Sequence, residues 1–340
     1  MIAAAGAVAT RPRRLLNPSH RKITPMSNSI STNARADIYD RVTTAIIREL
    51  EAGTRPWIKP WTTSPTGTGA PMRPLRHDSV PYRGINIVIL WSEAAERGFS
   101  APTWMSYRQA QLLGAQVRKG ERGTTVVYAN AVERSEPDAM TGEDITQRIP
   151  YLRAYTVFNI EQIDGLPERY CSKPTAEENL SGTSGRIDRA DAFIAATGAT
   201  IRTSGNRACY IPSVDRIEMP PYRQFMDTPT STAAEAYYST LLHELIHYTS
   251  PSHRCGRDFG KRFADHAYAR EELVAEIGAA FLCADLGITF ETRPDHAAYV
   301  ASWLTVLKSD KRAIFSAAAL AQKAANWLFQ NVKSSAVSEE

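Results

Sequence analysis

The sequence predicts an α+β fold in two domains, on three observations. Helical periodicity brackets a few strand-like runs in the first half. In the second half short strands precede a succession of helices. Between them, Cys171 to Gly185 is a polar stretch rich in Ser, Thr, Glu and Gly, a natural boundary. At 340 residues the chain can bury a sizeable core in each half. The expected division is a disordered extension over 1–34, a first domain over 35–170, a linker over 171–185, a second domain over 186–332 and a disordered tail over 333–340.

The opening residues carry Arg11, Arg13, Arg14, Arg21 and Lys22 behind an Ala-rich start. The apolar part precedes the basic part, the reverse of a signal peptide, so the segment reads as disordered, with Met26 as a second candidate start. Order is expected from near Asp37. Ile38, Tyr39, Val42, Ile46, Ile47 and Leu50 recur at helical spacing, and Gly53 stops the helix. After Pro56-Trp-Ile-Lys-Pro-Trp61 comes a Thr/Ser/Gly/Pro-rich loop through Pro74. Pro81 to Trp91 leads into a helix ending at Gly98, and Trp104 to Leu113 reads as a further short helix. Val117 to Tyr128 is a basic turn feeding a strand. Pro150 to Ile160 alternates like its partner, and the polar residues between them read as a loop.

In the second half Arg186 to Thr197 has a helical pattern. Ile201 to Thr203, Ala208 to Pro212 and Arg216 to Pro220 read as short strands, the last two joined by a hairpin at Ser213 to Asp215. The run Tyr210 to Pro220 is a candidate edge along which an extended peptide could pair, and Pro221 to Ser231 would lie over a cleft entrance. Residues 296–329 read as a helical hairpin, with Trp303, Leu307, Phe315, Leu320, Trp327 and Leu328 as core. His266 and His296 are lone histidines with no partner pattern.

Chemistry concentrates in Leu241-Leu-His243-Glu244-Leu-Ile-His247. Two histidines four apart on a helix share a face, so both imidazoles can reach one ion. Glu244 is offset from that face, suited to taking a proton from a water on the metal. Thr232-Ala-Ala-Glu235 reads as a capping box, apolar residues follow at helical spacing to Tyr248, and Ser250-Pro251 ends the helix. For a third ligand, His253 has the spacing of the extended three-histidine motif. Ser250 and Pro251 stand where that motif needs glycine, however, and no methionine follows Met226, so His253 reads as an exposed loop residue. The helical stretch from Tyr268 supplies Glu272 and Glu276, four apart beside Leu273, Ala275 and Ala279, with small residues suited to lying against the motif helix. Glu272 is assigned to the metal and Glu276 to orienting a histidine. Spacing alone leaves the reverse open. Glu271 reads as solvated. Zinc is the expected ion, with manganese or cobalt as substitutes.

Between Arg55 and Arg122 basic residues outnumber Asp78, Glu93, Glu96 and Glu121 by ten to four, and they alternate with tryptophans. Trp57, Lys59, Trp61, Arg73, Arg83, Asn86, Trp104, Arg118, Lys119 and Arg122 are candidates for a single-stranded-DNA groove. Cations would track phosphates and aromatic faces would take unstacked bases. The competing expectation is that Trp57 and Trp61 close a small core. The net charge of +4 says little by itself. Four scattered cysteines without a Cys-x-x-Cys pair suggest reduced thiols in a cytoplasmic protein, and no apolar run is long enough to span a membrane.

The string Pro56-Trp-x-x-Pro-Trp61, then Tyr82-Arg-Gly-Ile-Asn86, Trp104, Gln109-Ala110 and Gly114-x-x-Val117-Arg-Lys-Gly120-x-x-Gly123 resembles the ArdC family of antirestriction proteins. Phe158-Asn-Ile-Glu-Gln162-Ile-Asp-Gly165-Leu166, Tyr210-x-Pro-x-x-Asp215-Arg-Ile217 and the peptidase-like half fit the same family, from about Asp37 to Phe329. The resemblance implies a single-stranded-DNA-binding domain followed by a zincin-like metallopeptidase domain. It also implies carriage on mobile elements, helping incoming DNA survive host restriction. A related domain occurs beside primases of conjugative plasmids. Ser250-Pro251-Ser252-His253 departs from the family, replacing a Gly-containing turn. The expected protein binds single-stranded DNA, with duplex DNA as a second candidate. It holds zinc through His243, His247 and Glu272, uses Glu244 as base on an unidentified protein substrate, and has Tyr210 and Tyr248 as candidate oxyanion helpers. A DNA-coating protein with a structural zinc, or a primase accessory, are the alternatives.

Overall fold

The computed structural model describes residues 32–57, 72–137, 144–170, 187–228, 231–257, 266–288, 290 and 297–337. Lys59, Trp61, His296, most of the expected N-terminal extension and the linker over 171–185 lie outside them. Helix α1 (Thr32–Glu51) begins before the expected start of order and is followed by β1 (Leu75–Arg76), α2 (Ile85–Arg97) and β2 (Thr103–Met105). Next come α3 (Tyr107–Leu112), β3 (Gln116–Val117), β4 (Thr124–Pro137), β5 (Asp144–Asn159) and β6 (Ile163–Asp164). The second half comprises α4 (Asp188–Ala196), β7 (Thr200–Thr203), β8 (Cys209–Ile211) and β9 (Arg216–Met219). It ends in four helices, α5 (Ala233–Tyr248), α6 (His266–Leu286), α7 (Ala297–Ser309) and α8 (Ala313–Val337). Mixed helix and strand, with strands first and helices last in the second half, is the α+β arrangement the sequence predicts.

In the first half the strand order is β1-β2-β5-β4, with β3 and β6 paired separately. Three details differ from the sequence reading. Trp104 lies in strand β2, opposite Asn159. The helix waits for Ser106, whose hydroxyl accepts from the Gln109 N–H while the Gln109 side chain accepts from the Ser106 N–H. The expected loop after Tyr128 is a continuation of the ribbon, in register from Ala129 opposite Leu152 to Pro137 opposite Asp144. A ladder of backbone bonds needs no apolar side chain at each step, so a polar composition did not stop it. Gly123, at the entry to β4, is one glycine of the Gly114–Gly123 string with a steric reason. A Cβ there would stand 2.3 Å from Thr156 Cγ2 and 2.9 Å from the Phe158 ring.

In the second half β8 and β9 form the expected antiparallel hairpin, and β7 joins β9 in parallel. Helix α6 is the axis of the molecule, buried from Glu271 to Ala284. Motif helix α5 lies against it at Gly278, where a Cβ would come within 2.8 Å of the Ile246 side chain. Glycine therefore sets how near the two helices approach. On α8 the buried stripe is made of Ala317, Ala318, Ala321, Ala324 and Ala325 with Leu328. Leu320 is on the outer face and 37% exposed, correcting its expected place in the core. The helix also runs on to Val337, past the expected end at 332. The segment after β9 packs Tyr222 and Phe225 on Tyr237, at the N-terminal end of α5.

One apolar core takes side chains from both halves. Trp57 meets Trp303 edge-on with centroids 5.8 Å apart, Trp91 meets Phe281 at 5.9 Å and Tyr39 meets Phe315 at 4.6 Å. Arg73 crosses the same interface, with Nε 2.6 Å from Asp285 and Nη1 donating to Gln322 at 2.9 Å. Removing the indole from Trp57 or Trp104, both buried, should cost about 3–5 kcal/mol of unfolding free energy. Urea denaturation of Trp57→Ala and Trp104→Ala checks this, and an unchanged midpoint would contradict the packing.

Candidate metal centre

The capping box predicted for the motif helix is present: Thr232 Oγ1 accepts from the Glu235 N–H at 3.2 Å, and Glu235 Oε2 accepts from the Thr232 N–H at 2.9 Å. It fixes the phase of α5, and four residues of separation then stack His243 and His247. Their Nε2 atoms are 3.2 Å apart. Glu272 on α6 faces both, 3.5 Å from His243 Nε2 and 3.6 Å from His247 Nε2. These three side chains are buried, and they are the set among the described residues that offers three ligand atoms mutually within 4.8 Å. Tetrahedral bonds of about 2.0–2.1 Å put donor atoms about 3.3–3.4 Å apart, so the triangle has the size a small divalent cation needs.

Each imidazole also meets a carboxylate through Nδ1. His247 Nδ1 lies 3.2 Å from Glu271 Oε1, and His243 Nδ1 lies 3.6 Å from Glu276 Oε2. Such contacts set ring orientation and tautomer in metal-binding histidines. Glu276 thus stands behind His243, on the side away from Glu272. Glu271 is the correction: the sequence reading put it in solvent, yet it is 3% exposed. Arg257 holds it in a fork, Nε to Oε2 at 2.9 Å and Nη2 to Oε1 at 2.8 Å, and also donates to the carbonyl of Ile246. Arg55, from the first half, donates to Glu276 at 3.2 Å.

The electrostatics favour a cation. Glu244, Glu271, Glu272 and Glu276 are buried together, and the guanidiniums facing them are those of Arg55 and Arg257. With neutral imidazoles, four negative charges against two positive leave the two that a divalent ion would balance. Burial alone would push the His243 pKa down, but the carboxylates of Glu272, Glu276 and Glu244 outweigh it and hold it up, at about 10. Glu272 is the converse. Burial would raise its pKa, while His243, His247 and Tyr268 bring it down to about 2.

Glu244 does not join the triangle. Its Oε2 accepts the backbone N–H of Tyr210 at 2.8 Å, tying the carboxylate to edge strand β8. Of the two tyrosines expected as oxyanion helpers, Tyr210 donates its hydroxyl to Asp215 at 2.8 Å. Arg254, which grips Asp215 at 2.6 and 2.8 Å, lies over the Tyr248 ring at 3.5 Å. These contacts tie both tyrosines to the turn after α5. Tyr268, one helical turn before Glu272, is the tyrosine beside the centre. Burial and the Glu272 charge raise its pKa, as does its contact with Tyr299 at 3.3 Å. His253 and His266 are exposed and stand apart.

Of the expected DNA contacts, Trp57 and Trp104 are core and show no ring face to a ligand. Arg73 is spent on Asp285 and Gln322. Asn86 exchanges two bonds with the Val127 backbone, at 2.7 and 2.8 Å, and so caps the edge of β4 at that residue. Arg118 is exposed but held by Glu121, Asp164 and the Glu161 carbonyl. Arg83, Lys119 and Arg122 remain on the surface.

Comparison with known proteins agrees along the chain. A model for the N-terminal domain of anti-restriction factor ArdC matches residues 36–158, and one for a zincin-like metallopeptidase matches 188–320. An uncharacterised protein of Sinorhizobium fredii, y4eC, is 42% identical over 307 residues, 89% of this chain and 95% of that protein. Two DNA primases TraC of Escherichia coli are 39% and 38% identical, each over 84% of this chain, which spans 26% and 19% of their length. The metal-free crystal structure of antirestriction protein ArdC from plasmid R388 superposes with a TM-score of 0.71 at 47% identity, covering 88% of this chain and 98% of that one. Its Mn(II)-bound structure gives 0.67 at 45%, covering 87% and 98%. With both halves matched in order over nearly the whole of a solved ArdC chain, this protein belongs to the ArdC family of antirestriction proteins.

Proposed function

We propose that the protein binds single-stranded DNA and protects incoming mobile DNA from restriction, and that its second half is a metal-dependent peptidase-type centre. The observation that carries the second part is the buried triangle of His243, His247 and Glu272 with the Glu244 carboxylate beside it. The Mn(II)-bound ArdC relative supports a divalent cation in this family, and the donor set suits zinc, with manganese or cobalt as alternatives. A cation held there would supply a Lewis acid that polarises a carbonyl and makes water more acidic. In that setting Glu244, fixed by the Tyr210 N–H, takes the proton from water and passes it to the leaving amine. Tyr268, in contact with Glu272, joins Tyr210 and Tyr248 as a candidate phenol to steady a developing oxyanion.

A non-catalytic reading draws on two features. His243, Glu244 and His247 are each 3% exposed, which restricts the approach of a peptide to the centre. The Tyr210 N–H, which an extended peptide would use at this edge, is already engaged by Glu244. A role beside a plasmid primase draws on the TraC relatives.

Elemental analysis of the purified chain should find about one divalent ion per molecule in wild type and Glu244→Gln, and little in Glu272→Ala. Glu244→Gln should abolish hydrolysis of casein or a quenched peptide library. If it retains full protection of a transferred plasmid in a restricting host, catalysis is not the mechanism. Glu271→Gln should weaken metal binding by about 10- to 100-fold, read by competition with a chelating dye. Equal affinity would show that the Arg257–Glu271 pair does not orient His247. For the first half, anisotropy with labelled single-stranded DNA should show affinity falling steeply with salt; a salt-insensitive or absent signal would remove the DNA-binding reading.

A further inference from the structure

With Trp57 and Trp104 in the core, the first half must offer other rings if it stacks bases. Tyr128 and Tyr155 are 48% and 47% exposed, on the adjacent strands β4 and β5. The register sets Tyr128 opposite Arg153 and Val126 opposite Tyr155. Opposed residues of an antiparallel pair share a face, as do residues two apart along a strand. Tyr128, Asn130, Arg153 and Tyr155 therefore line one side of the ribbon. Asn130 Nδ2 donates to the Tyr128 hydroxyl at 2.8 Å, which holds that phenol against the sheet. At its inner end the same face runs into Val126 and Val157, packed with Trp104, Leu90 and Phe99, so the platform is footed in the core.

Two observations say what would cover it. Asn86 takes the Val127 N–H and C=O at the outer edge of β4, so directly beside Tyr128 the backbone is not open to an added peptide strand. The charge nearby is positive. Arg153 lies directly opposite Tyr128 and two residues along β5 from Tyr155, and Lys119 and Arg122 are exposed in the turn that feeds β4. Aromatic side chains with a cation on the same face, and further cations in the adjoining turn, suit a polyanion whose bases are unstacked. We infer that Tyr128 and Tyr155 are the base-stacking rings of the single-stranded-DNA site, with Arg153 beside them on the same face. This rests on the DNA-binding reading above and assigns that site to the ribbon face instead of Trp57 and Trp104. On diagonal positions about 7–8 Å apart, the rings are far enough from one another to take different bases.

The test uses the metal-loaded full chain and two fluorescein-labelled probes of equal length, an oligothymidylate and an abasic strand. Tyr128→Ala and Tyr155→Ala should each weaken oligothymidylate binding by about 5- to 150-fold, and Tyr→Phe at the same positions should restore it to within about twofold. Binding of the abasic strand should be unchanged in all four variants, because phosphates alone give the rings nothing to stack on. Arg153→Gln should reduce the slope of log affinity against log salt by about 0.7. Alanine variants that hold oligothymidylate as tightly as wild type overturn the assignment, as do variants that lose the abasic strand equally. Wild-type protein that binds neither probe overturns the DNA-binding reading itself, an outcome separable from failure at the tyrosines.

Discussion

The second half is organised by the burial of acid. Four glutamates, two imidazoles and two guanidiniums lie between α5, α6 and the turn after α5, where water cannot screen them. An ionised carboxylate in such a place costs several kcal/mol unless it is paired and hydrogen-bonded. Each glutamate here is answered. Glu271 meets Arg257 and His247, Glu276 meets Arg55 and His243, Glu272 meets both histidines, and Glu244 meets the Tyr210 N–H. That mutual satisfaction requires the helices to run close, which Gly278 against Ile246 allows. The turn Ser250 to Arg257 supplies one of the two guanidiniums. Its backbone folds back through the Arg257 N–H to the Ser250 carbonyl at 2.7 Å, directly after the motif helix.

The first half participates in this arrangement directly. Arg55 follows α1 and reaches Glu276, while Trp57, two residues later, enters the core beside Trp303. The region with the strongest aromatic and basic composition is therefore partly a clasp on the second half. The ribbon lies beyond the clasp, and its face carries exposed Tyr128, Arg153 and Tyr155. A tyrosine ring offers an apolar plane while its hydroxyl keeps a polar partner, as Asn130 does for Tyr128.

The parts of this structure that sequence could convey are local ones. The motif helix was readable because its cap, its period and its two histidines all lie within seventeen consecutive residues, Thr232 to Tyr248. Glu272 and Glu276 were readable as one face of one helix. Glu271 was not, because its solvation depends on Arg257 arriving from another segment, and no spacing rule links them. The same holds for Arg55. Tryptophans in a basic stretch satisfy two opposite readings, stacking platform and core, and only the partners Trp303 and Phe99 decide between them. The partners of Tyr210 and Tyr248, Asp215 and Arg254, were likewise not legible from spacing.

The shared core has a bearing on how such a chain can be handed from one gene to another. A fragment stopping at the boundary between the halves would carry Trp57, Trp91 and Tyr39 without the surfaces of Trp303, Phe281 and Phe315 that shield them. It would be born sticky, and its complement would be born with a hole. The stretch matching this chain inside the TraC primases embraces both halves, 84% of it in each. Recombination that cut at the midpoint would have to repair two raw faces at once, a physical cost that moving both halves together avoids.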